Sequence, residues 1–139
     1  MPYTEPLHPG NVYHIFNHAV ATDVLFKSER NYQYFLQQWT KYAEPVLDTF
    51  AWALLPNHFH AMVRVKPEAM LTKYFEQHIG LNKIYQRDGF PNAVSKSISN
   101  LFNGYAQAIN KERRRMGGLF MQTFNRKLVN SRDYDRRLL

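Results

Sequence analysis

Two histidines separated by one residue, His58-Phe59-His60, are the sharpest candidates for chemistry in this sequence. Side chains alternate along a β-strand, so residues i and i+2 point the same way and both imidazoles can turn toward one divalent ion. Two neutral imidazoles make an incomplete site, and a third ligand has to come from elsewhere. The plain alternative is a pair of histidines facing solvent on a sheet. The remaining histidines stand in weaker contexts. His14 lies in a β-branched and aromatic run, from which it can approach the pair or serve as a hydrogen-bonded sheet residue. His18 follows Asn17 where that run ends and reads as a turn residue, while His8 and His78 have no supporting pattern.

A second group of candidates is cationic. The chain has 139 residues, with 18 Lys and Arg against 11 Asp and Glu, for a formal charge of +7. Its first 110 residues hold 9 basic and 8 acidic side chains, whereas the last 29 hold 9 and 3, so nearly all the excess lies at one end. A localised basic field of this kind attracts polyanions. Within it stand Arg113, Arg114, Arg115, Arg126, Lys127 and Arg132, interleaved with Phe120 and Phe124. Aromatic rings can stack on bases while Arg and Lys hold phosphates, which makes these six cations candidate nucleic-acid contacts. Each also has a structural reading: cations at a helix C-terminus complement its dipole, and Phe120 suits a core.

Composition narrows the alternatives. The absence of Cys excludes a disulfide framework, a thiolate nucleophile and a cysteine zinc site. At 45% hydrophobic and 15% aromatic residues the chain is too apolar for a disordered tail. No apolar run approaches the roughly 18 residues that span a bilayer, and no signal-peptide pattern opens the chain. These features point to a soluble, cytoplasmic, single-domain protein over residues 1–139 with no membrane partner.

The elements that must position these residues follow from periodicity. Residues 12–16 read as a strand after Gly10. Ser28 can cap a helix whose stripe is Tyr32, Phe35, Leu36 and Trp39, and Pro45 closes it. Residues 47–55 and 58–65 read as two strands joined by a Pro56-Asn57 turn. In the second of these, Phe59, Ala61, Val63 and Val65 share one face, and His58, His60, Met62 and Arg64 the other. Residues 67–92 read as a helical insertion with a mobile end. A helix over 93–114 follows, with Ile98, Leu101, Phe102, Tyr105 and Ile109 on one face, then a strand over 119–129. Asn130 or Ser131 can cap a last helix, in which Tyr134 and Leu138 begin an apolar stripe just before the sequence stops at Leu139. The order βαββαβ predicts an α+β, ferredoxin-like domain: an antiparallel four-stranded sheet with helices on one face, an open second face, and a truncated C-terminal helix.

Four blocks, Tyr13-His14-Ile15-Phe16-Asn17, Phe26-Lys27-Ser28-Glu29-Arg30, Leu55-Pro56-Asn57-His58-Phe59-His60-Ala61-Met62-Val63 and Gly118-Leu119-Phe120-Met121-Gln122-Thr123-Phe124-Asn125-Arg126-Lys127, resemble the single-tyrosine HUH transposases in order and spacing. Within that family they look most like the REP-associated tyrosine transposases. The resemblance spans most of the chain outside residues 67–92. It implies a ferredoxin-like domain that acts on single-stranded or hairpin DNA ends, with His58 and His60 as ligands of Mg²⁺ or Mn²⁺ at the scissile phosphate. It also implies a tyrosine on the terminal helix that attacks phosphorus, leaving a 5′-phosphotyrosine and a free 3′-OH.

The family's nucleophile falls a few residues after a position like Tyr134. Carried onto this sequence, that is about residue 140, just beyond Leu139. Tyr134 therefore matches the packing residue that precedes the nucleophile, and is the candidate nucleophile within this chain. Whether the chain is itself an enzyme stays open at this point. Two other readings stand beside this one. The first is a non-catalytic nucleic-acid-binding module on the same fold. The second is a metal-dependent phosphodiesterase using bound water, which needs a carboxylate near the histidines, and none lies within several residues of His58. Family members act as monomers or exchange terminal helices, so a homodimer belongs among the expected partners.

Overall fold

The computed structural model describes residues 4–121 and 123–129. Its elements are β1 (Val12–His18), α1 (Glu29–Tyr42), β2 (Leu47–Leu55), β3 (His58–Val65), α2 (Glu68–Glu76), α3 (Ile79–Asp88), α4 (Phe90–Arg113) and β4 (Asn125–Leu128). The strands form one sheet in the order β2-β3-β1-β4, with every neighbouring pair antiparallel. This is the α+β, ferredoxin-like arrangement that the order of elements predicts.

Local chemistry explains the boundaries. The Ser28 hydroxyl accepts the Asn31 N–H at 3.3 Å and starts α1, and the helix ends at Tyr42, ahead of Pro45. Its Phe35 and Trp39, together with Ile98, Leu101, Phe102, Tyr105 and Ile109 of α4, are buried on the sheet. Alternation in β3 sends Phe59, Ala61, Val63 and Val65 into that core, and leaves His58, His60 and Met62 half-buried on the far side. Phe59 is the hub: its ring lies 5.3 Å from Phe35, 6.3 Å from Trp39 and 5.4 Å from Phe102.

One expectation holds in its helical part and another needs correction. Residues 67–92 are helical and lie between β3 and the long helix α4. They form α2, α3 and the first turn of α4, and bury Leu71, Phe75 and Leu81 in the common core. The Gly and Pro residues mark corners there: Gly89 takes φ +91° between α3 and α4, and Pro91 occupies the first turn of α4, where its missing N–H is of no consequence. The last strand is also shorter than residues 119–129. Leu119 and Phe124 are buried and Phe120 packs 5.0 Å from Phe102, so these side chains turn inward together and break the alternation a strand needs. Among the described residues a single bridge, Ala19 to Phe120, stands in residues 119–124 ahead of β4. The expected terminal helix, with Arg132, Tyr134 and the final Leu139, lies outside the described residues. The expectation of a nucleophile just beyond Leu139 lies outside them too.

Candidate metal and nucleic-acid site on the open sheet face

The register of β1 on β3 builds a histidine array that neither strand shows alone. His18 stands opposite His58, Phe16 opposite His60, and His14 opposite Met62, so all four imidazoles share the face away from the helices. The rings of His18 and His58 stack at 5.0 Å, as do those of His14 and His60, and His58 meets His60 edge-on at 5.0 Å. Phe16 lies 4.7 Å from His14 and 5.8 Å from His60. His18 is therefore a strand residue of this face, not a turn residue, because β1 runs two residues further than its β-branched core.

Hydrogen bonds fix both candidate ligands from behind. His14 Nε2 and His60 Nδ1 are 2.8 Å apart and share one proton's worth of bonding. His58 Nδ1 lies 2.8 Å from Asn57 Oδ1, so it donates to the amide oxygen, and the Asn57 carbonyl accepts the Ala19 N–H at 2.9 Å. The Pro56-Asn57 turn thus orients His58 and ties itself to the end of β1. Each imidazole then has Nε2 as its remaining ring nitrogen, the arrangement in which an outer partner fixes the orientation of a metal-ligating histidine. The donor chemistry fits a divalent ion at His58 and His60. Among the described residues no group of three or more His, Cys, Asp or Glu converges, so the pair would supply two ligands of a larger set.

Burial, followed by the neighbouring His58 and His18, pushes the pKa of His60 below its usual 6.5. The unfolded chain therefore binds this proton at a higher pH than the folded one. Stability is complete above about pH 6.5 and is lost as pH falls from there through the lower folded pKa. Thermal midpoints should fall between about pH 7 and 5, and His60→Gln should flatten that slope. An unchanged slope in a pH series of melts would contradict this.

Five of the six candidate cations fall among the described residues, and they divide by face and by employment. On β4, Lys127 stands opposite His14 on the histidine face, whereas Arg126 stands opposite Ile15 on the helix side. There the Arg126 Nε donates to the Glu5 carbonyl at 3.1 Å, its guanidinium lies 4.8 Å from the Phe124 ring, and burial lowers its pKa. Arg113 donates to the carbonyls of Val24 and Leu25 at 2.6 and 3.3 Å, and Arg115 pairs with Asp23 at 2.7 Å. Arg114, the C-cap of α4 at φ +54°, is exposed. Lys127 is thus the described cation of this set that the fold brings beside the histidines. Arg64 joins it at the far end of the open face, its guanidinium 5.6 Å from the Phe50 ring. Alternation in β3 already places Arg64 on this face; Phe16 and Phe50 escape sequence reasoning as site residues because strand register places them there, and Asn57 because no sequence signal announces its side-chain bond to His58.

Arg113 anchors the loop before α1 to the end of α4. Arg113→Ala should cost about 2–3 kcal/mol, since charged donors to partly buried carbonyls carry roughly that much together. Urea titration measures the loss.

No family model and no curated protein matches the sequence. Among solved structures, the fold is similar to that of a REP-associated tyrosine transposase bound to a REP hairpin. The TM-score is 0.62 at 13% identity, over 99% of this chain and 67% of that one. At that identity the likeness is one of fold, and the chain has a transposase-like fold.

Proposed function

We propose that this chain is a transposase-like domain that binds single-stranded or hairpin DNA ends across the open face of its sheet. In this reading His58 and His60 would hold a Mg²⁺ or Mn²⁺ ion. The observation that carries it is the pair of outward imidazoles, each secured at Nδ1 by a neighbour, on the face of a β2-β3-β1-β4 sheet that no described helix covers. An ion held there supplies charge neutralisation and polarisation of a phosphate oxygen. The protein's own residues do the rest. Asn57 and His14 hold the ligands in place, Lys127 contacts the backbone beside them, and Arg64 with Phe50 receives the strand at the far end of the face. Cleavage needs a tyrosine oxygen that attacks phosphorus, breaks the P–O3′ bond and leaves a protonated 3′-OH. The similar solved structure is bound to a REP hairpin, which favours hairpin DNA over other polyanions.

The test is fluorescence anisotropy with a labelled hairpin carrying a single-stranded flank, in Mn²⁺ and in EDTA, against a blunt duplex. The flanked hairpin should bind more tightly, Mn²⁺ should strengthen binding, and affinity should fall with salt. Equal affinity for the blunt duplex, with no response to Mn²⁺, would overturn the proposal. A denaturing gel decides the role of Tyr134: a covalent adduct abolished by Tyr134→Phe makes it the nucleophile, and no adduct removes it from that role.

A further inference from the structure

On the side of the sheet away from the histidines, α1 and α4 run antiparallel. At one end the Ser97 hydroxyl donates to the Tyr42 carbonyl at 2.6 Å, and at the other the Asn31 amide donates to the Glu112 carboxylate at 3.0 Å. From the second tie toward the first, a groove of about 530 Å³ opens between the helices, within the size range of small-molecule sites. Its α1 wall is Arg30, Gln33, Tyr34 and Gln37, at i, i+3, i+4 and i+7, a polar stripe beside the apolar one that the core takes. Its α4 wall is Ala108, Lys111 and Glu112, again about one turn apart. Buried Asn31 and Ile109 close the floor. The short side chain of Ala108 keeps the groove open. Arg30 and Lys111 make no ion pair among the described residues, and Gln33 and Gln37 make no side-chain hydrogen bond there.

We propose that this groove binds an adenine nucleoside monophosphate, free in solution or as one unstacked nucleotide of a DNA strand. Its chemistry is graded along its length. Arg30 to Gln37 spans about 10 Å of helix, which gives phosphate, sugar and base room to lie in line. At one end Arg30 and Lys111 are free to hold a phosphate by charge-assisted hydrogen bonds. At the other, Gln37 offers a donor and an acceptor side by side, the pattern that matches the N6 and N7 edge of adenine. Between them the half-buried Tyr34 ring, 6.0 Å from that of Tyr105, joins Ile109 and Ala108 in an apolar wall for sugar and base. Glu112 stands at the cationic end, where its Oε2 accepts from Asn31, whose own Oδ1 accepts the Lys27 N–H at 2.9 Å. Two cations against one carboxylate still leave that end attractive to a phosphate. The groove lies across the domain from His58 and His60, so it stands without the metal reading.

Isothermal titration calorimetry of the full chain with 5′-AMP in EDTA tests this without metal or DNA. Saturable one-to-one binding is expected. Adenosine and inorganic phosphate should each bind about tenfold more weakly or worse, because each keeps only one end of the contact. Arg30→Gln and Gln37→Leu, both on the exposed rim, should weaken binding about tenfold and about threefold, and Ala108→Phe should abolish it by filling the groove. Thermal melts confirm that the variants fold, and the two rim variants carry the test if Ala108→Phe does not. The His58→Ala/His60→Ala double variant should bind 5′-AMP as the parent chain does, so failure of the metal reading leaves this one standing. A labelled hairpin with a single-stranded flank then separates the two sources. Displacement of the hairpin by 5′-AMP assigns the groove to a nucleotide of the strand, and simultaneous binding assigns it to the free nucleotide. No saturable 5′-AMP binding, phosphate binding as tightly as 5′-AMP, or unchanged affinity in both rim variants overturns the proposal.

Discussion

Phe59→Ala is expected to destabilise the fold by about 3–5 kcal/mol, the range for emptying a buried aromatic site. The ring is 1% exposed and touches Phe35 and Trp39 of α1 and Phe102 of α4, so it joins both helices to the central strand β3. No single neighbour can collapse into the space without leaving another. A loss of that size is a large share of the roughly 5–15 kcal/mol that holds a domain folded. Urea denaturation measures it. Phe59→Leu, which keeps most of the volume, should cost less than about 1.5 kcal/mol and keeps the comparison measurable if the alanine variant fails to fold. His58→Ala and His60→Ala, on either side, should cost little, because both side chains are only half-buried, on the face that no described helix covers. An alanine loss at Phe59 below about 1.5 kcal/mol would show that the core repacks around the gap.

That contrast between adjacent residues is readable from the sequence, because period-two alternation assigns each side chain of β3 to a face before any partner is known. The bounds of β2 and β3 are equally readable: Pro45 and Pro56-Asn57 punctuate the chain at the places where the strands begin and turn. What depends on strand neighbours is not readable. His14 reaches His60 only because β1 lies beside β3, and the opposite employments of Arg126 and Lys127 follow from the register of β4 on β1. Arg113 finds its carbonyl partners at Val24 and Leu25, across nearly the whole domain in sequence, with no local pattern to announce it. The corner at Gly89 misleads for a different reason, since Gly and Pro punctuate a helix–helix junction in the same way as a loop.

The second large effect concerns the histidine array, and it separates metal binding from general attraction to a polyanion. If His58 and His60 hold the ion, the His58→Ala/His60→Ala double variant should lose Mn²⁺ affinity by more than about a hundredfold, beyond the ten- to hundredfold expected for outer partners. His14→Ala and Asn57→Ala should each fall within that outer range, because they act by fixing the rings of His60 and His58. Electron paramagnetic resonance of free Mn²⁺ reads these variants without any DNA. Lys127→Ala should behave differently. It should leave Mn²⁺ affinity alone and lower the slope of log affinity against log salt by about one, the signature of one lost phosphate contact. The two classes cannot be exchanged: electrostatic attraction does not distinguish His58 from other sites on a chain with a +7 charge, while a coordinated ion does. Undiminished Mn²⁺ affinity in the double variant would remove the metal from the mechanism and leave the open face as a binding surface alone.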